Sequence, residues 1–180
     1  MTKEALLIVD MSNDFIADDG TLTVGKAGQE IVPYIKDLAE KFLAEGKLVV
    51  ISMDAHQPDD SHFDLWPAHN VVETEGQQLY GDLNDWYQEH KHHEHVIYDP
   101  KTDYNAFFQT GLADRLRKAG VEKVHTVGVT TDICVFLTTA GADAEGFKTA
   151  THKRGVATFT DLGDKILEHM ERCFHTEIIE

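Results

Sequence analysis

The chain has 180 residues, of which 42% are hydrophobic and 27% charged, and it carries a formal net charge of −16. That composition describes a folded protein long enough for one domain with its own core, and excludes a disordered or collagen-like chain. The acid excess argues against nucleic acid or an anionic membrane surface as partner, since both require a basic patch, and no apolar run approaches the roughly 20 residues of a membrane span.

The chain opens MTKEALLIVDM, which runs straight into an apolar segment at 5–9 with no cleavable leader, so a cytoplasmic protein is expected. Three further apolar runs follow: KLVVISM at 47–53, HVIY at 95–98 and VHTVGV at 124–129. They are nearly continuous rather than alternating, which predicts strands buried on both faces of a parallel sheet. Helical spacing lies between them. In VPYIKDLAEKFLAEG, Ile35, Leu38, Phe42 and Leu43 share one face, Pro33 sits in the first turn and Gly46 stops the helix. LADRLRKAG at 112–120 repeats the design, and CVFLTTAGADAEG at 134–146 predicts a third helix. DLGDKILEHMERCF at 161–174 predicts a fourth, with Leu162, Ile166, Leu167, Met170 and Phe174 inward. A weakly marked strand is expected near 147–151 or 155–159. The order predicts a single domain over 1–180, a three-layer α/β/α sandwich with a mainly parallel central sheet. Two cysteines are too few for a disulfide framework and point to a reducing, intracellular setting. Cys173 is expected to be structural, on the apolar side of the last helix.

Residues 54–94 break this rhythm, and unpatterned segments of that length in a compact domain are usually functional. In parallel α/β sheets ligands bind beyond the carboxyl ends of the strands. Asp10 and Asp54 end the first two predicted strands, Lys101 follows the third, and Cys134 follows the fourth at the opening of a helix. Topology therefore brings these four side chains to one rim. A cysteine at a helix N-terminus beside a lysine has a lowered thiol pKa, and an aspartate nearby can take and return its proton. The alternative for Cys134 is a small buried core residue. Asp54, His56, His62 and His69 together offer one carboxylate and three imidazoles, a set suited to a first-row transition metal. The alternative there is a solvated polar loop in a chain with 11 histidines. Asp59, Asp60 and Asp64 are expected to be surface acids, with Asp64 the candidate to support a ligand. The denser tract EHKHHEH, residues 89–95, precedes a strand and should lie at the opposite end of the sheet, as a solvated turn.

These segments resemble a known family, the isochorismatase-like cysteine hydrolases, and within it the nicotinamidases, also called pyrazinamidases. The anchors are ALLIVDMSNDF, VVISMDAHQPDDSHF, WPAHNVVETEG, the lysine of DPKTDYNAF, and VGVTTDICV, over about residues 4–150. The resemblance implies Asp10, Lys101 and Cys134 as catalytic residues, a cis Val129–Thr130 peptide, and an oxyanion hole from the N–H groups of Thr130 and Cys134. It implies Asp54, His56, His62 and His69 as ligands of one divalent transition metal, zinc foremost, with iron or manganese also compatible. Phe15, Trp66 and Tyr104 would flank the ring of nicotinamide, which would be hydrolysed to nicotinate and ammonia through a thioester, serving NAD salvage. A homo-oligomer is implied as well. The alternative within the family is an amidase for another small amide or carbamoyl compound. This chain departs from the pattern at Asn70, often a cysteine, at Glu73-Thr74, often glycine-threonine, and at Asn105-Ala106-Phe107, often serine-alanine-phenylalanine. The segment THKRGVATFTDLGDK at 151–165 matches less well and lends no residue to the site.

Overall fold

A computed structural model of the chain describes residues 3–180. In chain order it runs β1 (Lys3–Val9), α1 (Asn13–Ile16), α2 (Lys26–Glu30), α3 (Val32–Ala44), β2 (Leu48–Asp54), α4 (Asp82–His90) and β3 (Val96–Lys101). It continues with α5 (Leu112–Lys118), β4 (Val121–Val129), α6 (Phe136–Ala144), β5 (Lys148–Ala157), α7 (Gly163–Phe174) and β6 (Glu177–Ile179). The six strands form one sheet in the order β3-β2-β1-β4-β5-β6, and every neighbouring pair is parallel. The order reverses between β1 and β4, and in doubly wound sheets that reversal opens the crevice in which ligands bind.

The continuous apolar runs follow from having helices on both faces. Along β1, Leu6 and Ile8 join a core with Ile35, Leu38 and Phe42 of α3 and Leu83 and Trp86 of α4. Ala5, Leu7 and Val9 point the other way, to Leu112 and Leu116 of α5 and to Val135 and Ala142 around α6. Truncating any of the fully buried leucines would cost about 2–5 kcal/mol. At the reversal the two central strands come together closely. A Cβ on Gly128, at φ 114°, would stand 2.0 Å from the carbonyl oxygen of Val9, so only glycine lets β4 close against the exit of β1.

Several elements differ from the sequence expectation. The strand placed at 147–151 or 155–159 is one strand, β5, which overlaps both ranges and joins them, with a register shift opposite Thr126 to Gly128. Its inner side is polar, which hid it. His152 Nδ1 lies 2.8 Å from Tyr34 Oη and its Nε2 lies 2.9 Å from His125 Nδ1, while Thr126 bonds Thr139 and Thr151. The helix expected from Cys134 becomes α-helical only at Phe136, after a wider turn over Thr131–Val135. Helix α4 lies inside the supposedly unpatterned 54–94, since it buries only Leu83 and Trp86 and is otherwise polar. In α7 only Leu167 and Met170 are buried, Leu162 precedes the helix in an exposed position, and β6 had no sequence signal. Cys173 is exposed, with Sγ 3.6 Å from the His169 ring, so the structural role expected for it is corrected: the apolar stripe of α7 is narrower than the spacing implied.

Candidate active site

The carboxyl ends of β1, β2, β3 and β4 converge as parallel topology requires. Asp10 leaves β1 in the left-handed region, φ 53°, which turns its carboxylate across the sheet. Its Oδ1 accepts from the backbone N–H of Asp54 at 2.9 Å and its Oδ2 from Lys101 Nζ at 2.7 Å. Lys101, the last residue of β3, also pairs with Asp54 Oδ1, and all three groups are fully buried. Cys134 Sγ and one carboxylate oxygen from each of Asp10 and Asp54 lie within 4.8 Å of one another. The Val129–Thr130 peptide is cis, as the resemblance implied.

Burial sets the charges here, and the partners decide which way each group moves. Burial and the Asp54 carboxylate push Asp10 up to about 6, against the pull of Lys101. Burial also opposes ionisation of Asp54, but the Lys101 ammonium, with the His56 and His69 rings close by, outweighs it and holds that carboxyl well below the usual range. Burial likewise works against the Lys101 ammonium, and the two carboxylates more than restore it. Burial pushes the Cys134 thiol well above its usual value, with Lys101 compensating only in part. The sequence expectation of a lowered thiol pKa is thus corrected: desolvation, with the Asp10 and Asp54 carboxylates adding to it, outweighs the lysine. The resting pair is a thiol beside a carboxylate able to take its proton.

Beside this trio stand three imidazoles. His56 Nδ1 lies 2.9 Å from Asp60 Oδ2 and His69 Nδ1 lies 2.7 Å from the Pro67 carbonyl. Both partners only accept, so each Nδ1 carries the hydrogen and each Nε2 presents a lone pair. The two Nε2 atoms both lie 3.7 Å from Asp54 Oδ2. His62 stacks on His56 with ring centroids 4.7 Å apart, and one nitrogen from each histidine falls within 4.8 Å of the others. His56 Nε2 is buried with no partner. Three convergent imidazoles with an orphaned nitrogen, and a carboxylate oxygen in reach, fit a divalent first-row metal. Burial works against the His56 imidazolium, but Asp54 and Asp60 raise its pKa overall.

The pocket in front of Cys134 is lined by Phe15, Trp66 and Tyr104 as expected, together with Leu22, Ile133 and Phe159. Its volume is about 370 Å³ including the open mouth. Trp66 Nε1 donates to Tyr104 Oη at 2.9 Å, which fixes the two aromatic planes relative to each other. All the site residues expected from sequence meet here, with Asp10, Lys101 and His56 behind the pocket wall. Sequence reading missed three others. Asp60, expected at the surface, orients His56, whereas Asp64 makes no such contact among the described residues. Asn70, fully buried at φ 44°, accepts from Ser12 Oγ at 2.7 Å and from the His56 N–H, and its own N–H donates to Asp14 Oδ2 at 2.7 Å. Phe159 follows the carboxyl end of β5, and parallel topology alone could have placed it at this rim. The tract 89–95 lies at the other end of the sheet, where Glu94 and His95 line a depression with Lys3, Glu4 and Glu45. Among the described residues, no candidate metal cluster includes a tract histidine.

Doubly wound topology with a buried cysteine, aspartate and lysine at the strand-order reversal describes a class of α/β proteins with a cysteine-centred site. The chain belongs to the isochorismatase family, matching the isochorismatase domain over residues 4–178. It is 39% identical, over 99% of its length and 100% of the relative, to the uncharacterized isochorismatase family protein PncA of Bacillus subtilis. The crystal structure of nicotinamidase/pyrazinamidase PncA from Bacillus subtilis superposes with a TM-score of 0.97 at 37% identity, covering 99% of this chain and 100% of that one. The pyrazinamidase of Pyrococcus horikoshii in complex with zinc superposes with a TM-score of 0.87 at 30% identity, covering 99% of each chain. No helix among the described residues is long and apolar enough to cross a membrane.

Proposed function

We propose that the protein hydrolyses nicotinamide, and the related pyrazinamide, to the carboxylic acid and ammonia. The observation that carries this is the buried Cys134–Asp10–Lys101 cluster opening onto a small aromatic pocket beside three convergent imidazoles. In this reading Asp10 takes the Cys134 thiol proton as Sγ attacks the amide carbon. The N–H groups of Thr130 and Cys134 receive the developing oxyanion, a contribution of about 3–4 kcal/mol for one donor. The C–N bond breaks as Asp10 passes its proton to the departing nitrogen, leaving ammonia and a thioester. Water then adds to the thioester with Asp10 as base, the C–S bond breaks, and the thiol is re-protonated. Lys101 holds the Asp10 carboxylate in place and balances its charge. Phe15, Trp66 and Tyr104 flank the pyridine ring. His56, His62, His69 and Asp54 would hold a divalent metal, zinc first, with iron or manganese accepted by the same donors. Such an ion would supply a Lewis-acidic site facing the pocket. The product, a pyridine carboxylate, fits recycling into NAD in the cytoplasm, and the protein works as a homo-oligomer in this reading.

The test is ammonia release from nicotinamide. Because Cys173 is exposed, thiol alkylation must be read on a Cys173→Ser background. Alkylation there, and Cys134→Ala, should each lower turnover by on the order of 10⁴-fold or more, with metal content unchanged. Near-normal turnover in Cys134→Ala would exclude the covalent route. It would favour a metal-activated water instead.

A further inference from the structure

The segment 158–162, to which the sequence assigned no site residue, reaches the pocket through one residue and grips the Cys134 turn through two others. Thr158 Oγ1 donates to Asp132 Oδ1 and Thr160 Oγ1 to Asp132 Oδ2, each at 2.6 Å. One hydroxyl on each carboxylate oxygen is a short, charge-assisted clamp. The same hydroxyls accept from the loop's own backbone, Thr158 from the Thr160 N–H at 3.3 Å and Thr160 from the Leu162 N–H at 3.1 Å. Asp132 lies in the turn Thr131–Val135 that carries Cys134, next to Ile133. The residue between the two threonines is Phe159, which lines the pocket while 49% of its surface remains exposed. A large aromatic left half in water at the mouth of a cavity is placed to be covered by what enters.

We propose that Phe159 is a specificity-determining wall, and that Asp132 is the positioning residue that locks it to the Cys134 turn through Thr158 and Thr160. The pocket thereby accepts flat single-ring amides and rejects fused-ring ones. The proposal rests on the amide-hydrolysing reading above and says which amides pass. At about 370 Å³ with its mouth included, the cavity stands at the small end of ligand sites, so one wall decides what fits. Asp132 is no part of the reacting trio, and its carboxylate is spent on the two threonines.

The experiment measures kcat and KM separately for nicotinamide and for a quinoline carboxamide, in wild type, Phe159→Ala and Thr158→Val/Thr160→Val. The threonine pair leaves the Asp132 side chain in place and removes both hydroxyls, which donate to its carboxylate and accept from the loop's own N–H groups. Both variants should raise KM for nicotinamide roughly tenfold with kcat changed less than about threefold, the pattern of lost uniform binding. The preference for one ring over two should narrow by a similar factor. Combining all three substitutions should add little to Phe159→Ala, since the clamp acts through that side chain. An unchanged KM in Phe159→Ala overturns the proposal. So does a fall confined to kcat, which would mark a disturbed Cys134 turn, or a changed sedimentation coefficient, which would make Phe159 a subunit contact. A wild type that hydrolyses no pyridine carboxamide overturns the functional reading itself, and this proposal with it.

Discussion

His56, His62 and His69 are spread along one loop, whereas His90, His92, His93 and His95 crowd into a single turn. By density the second group is the better metal-binding tract. The structure reverses that order. The spread histidines are packed into the carboxyl rim, with two Nδ1 atoms tied off by Asp60 and the Pro67 carbonyl and two Nε2 atoms turned to the same Asp54 oxygen. The crowded ones begin a strand rather than end one, and His93 spends Nδ1 on the backbone of His95. A site needs ligands whose second nitrogen is fixed and whose free nitrogens converge, and among the described residues three imidazoles converge only at the rim.

The sharpest way to break this contrast is a pair of variants. His69→Ala should abolish stoichiometric metal binding and most amide turnover, while His92→Ala/His93→Ala should leave both unchanged, by elemental analysis after dialysis and by ammonia release. Metal lost from the tract variant alone would reverse the assignment. A milder change tests the fixture itself: Asp60→Ala should weaken metal binding about 10–100-fold without touching a donor atom, measured by competition with a chelator. An unaffected affinity would reduce Asp60 to a surface acid, as the sequence suggested.

The smallest expected effect concerns a third set of histidines, His125 and His152, paired deep in the sheet. Burial, with the charge of His125 adding at His152, holds both pKa values down, to about 4, below the usual 6.5. Between those limits the unfolded chain binds protons that the folded chain refuses. Their contribution is therefore complete above pH 6.5 and is lost as the pH falls towards 4. After discounting for residual solvent contact, the loss is on the order of 2 kcal/mol for the pair. Urea unfolding at pH 7, 5.5 and 4.5 should show it, with a shallower pH slope in His152→Gln. Equal slopes would mean that these imidazoles titrate normally in the fold.

Much of this molecule was legible in the sequence. The runs at 5–9, 47–53 and 124–129 are β-branched or aliphatic and nearly continuous, which suits strands covered on both faces. Parallel strands must end together, which by itself brings Asp10, Asp54, Lys101 and Cys134 to one rim. Side-chain identity also limited what could sit there: three imidazoles and a carboxylate, a cysteine, and three aromatic rings. Tertiary structure decided what depends on burial and on partners distant in sequence. The thiol is raised rather than lowered because desolvation outweighs the lysine, a balance no spacing reveals. Asp60 rather than Asp64 orients His56 because Asp60 caps the short helical turn over Ser61–Asp64 and faces that ring. Strand β5 was nearly invisible because its buried threonines and histidine are satisfied by Tyr34 of α3, His125 and Thr126 of β4, and Thr176, which only folding brings near. Phe159 became part of the pocket for the same reason: hydrogen bonds from its two neighbours to Asp132 exist only after β4 and β5 have paired.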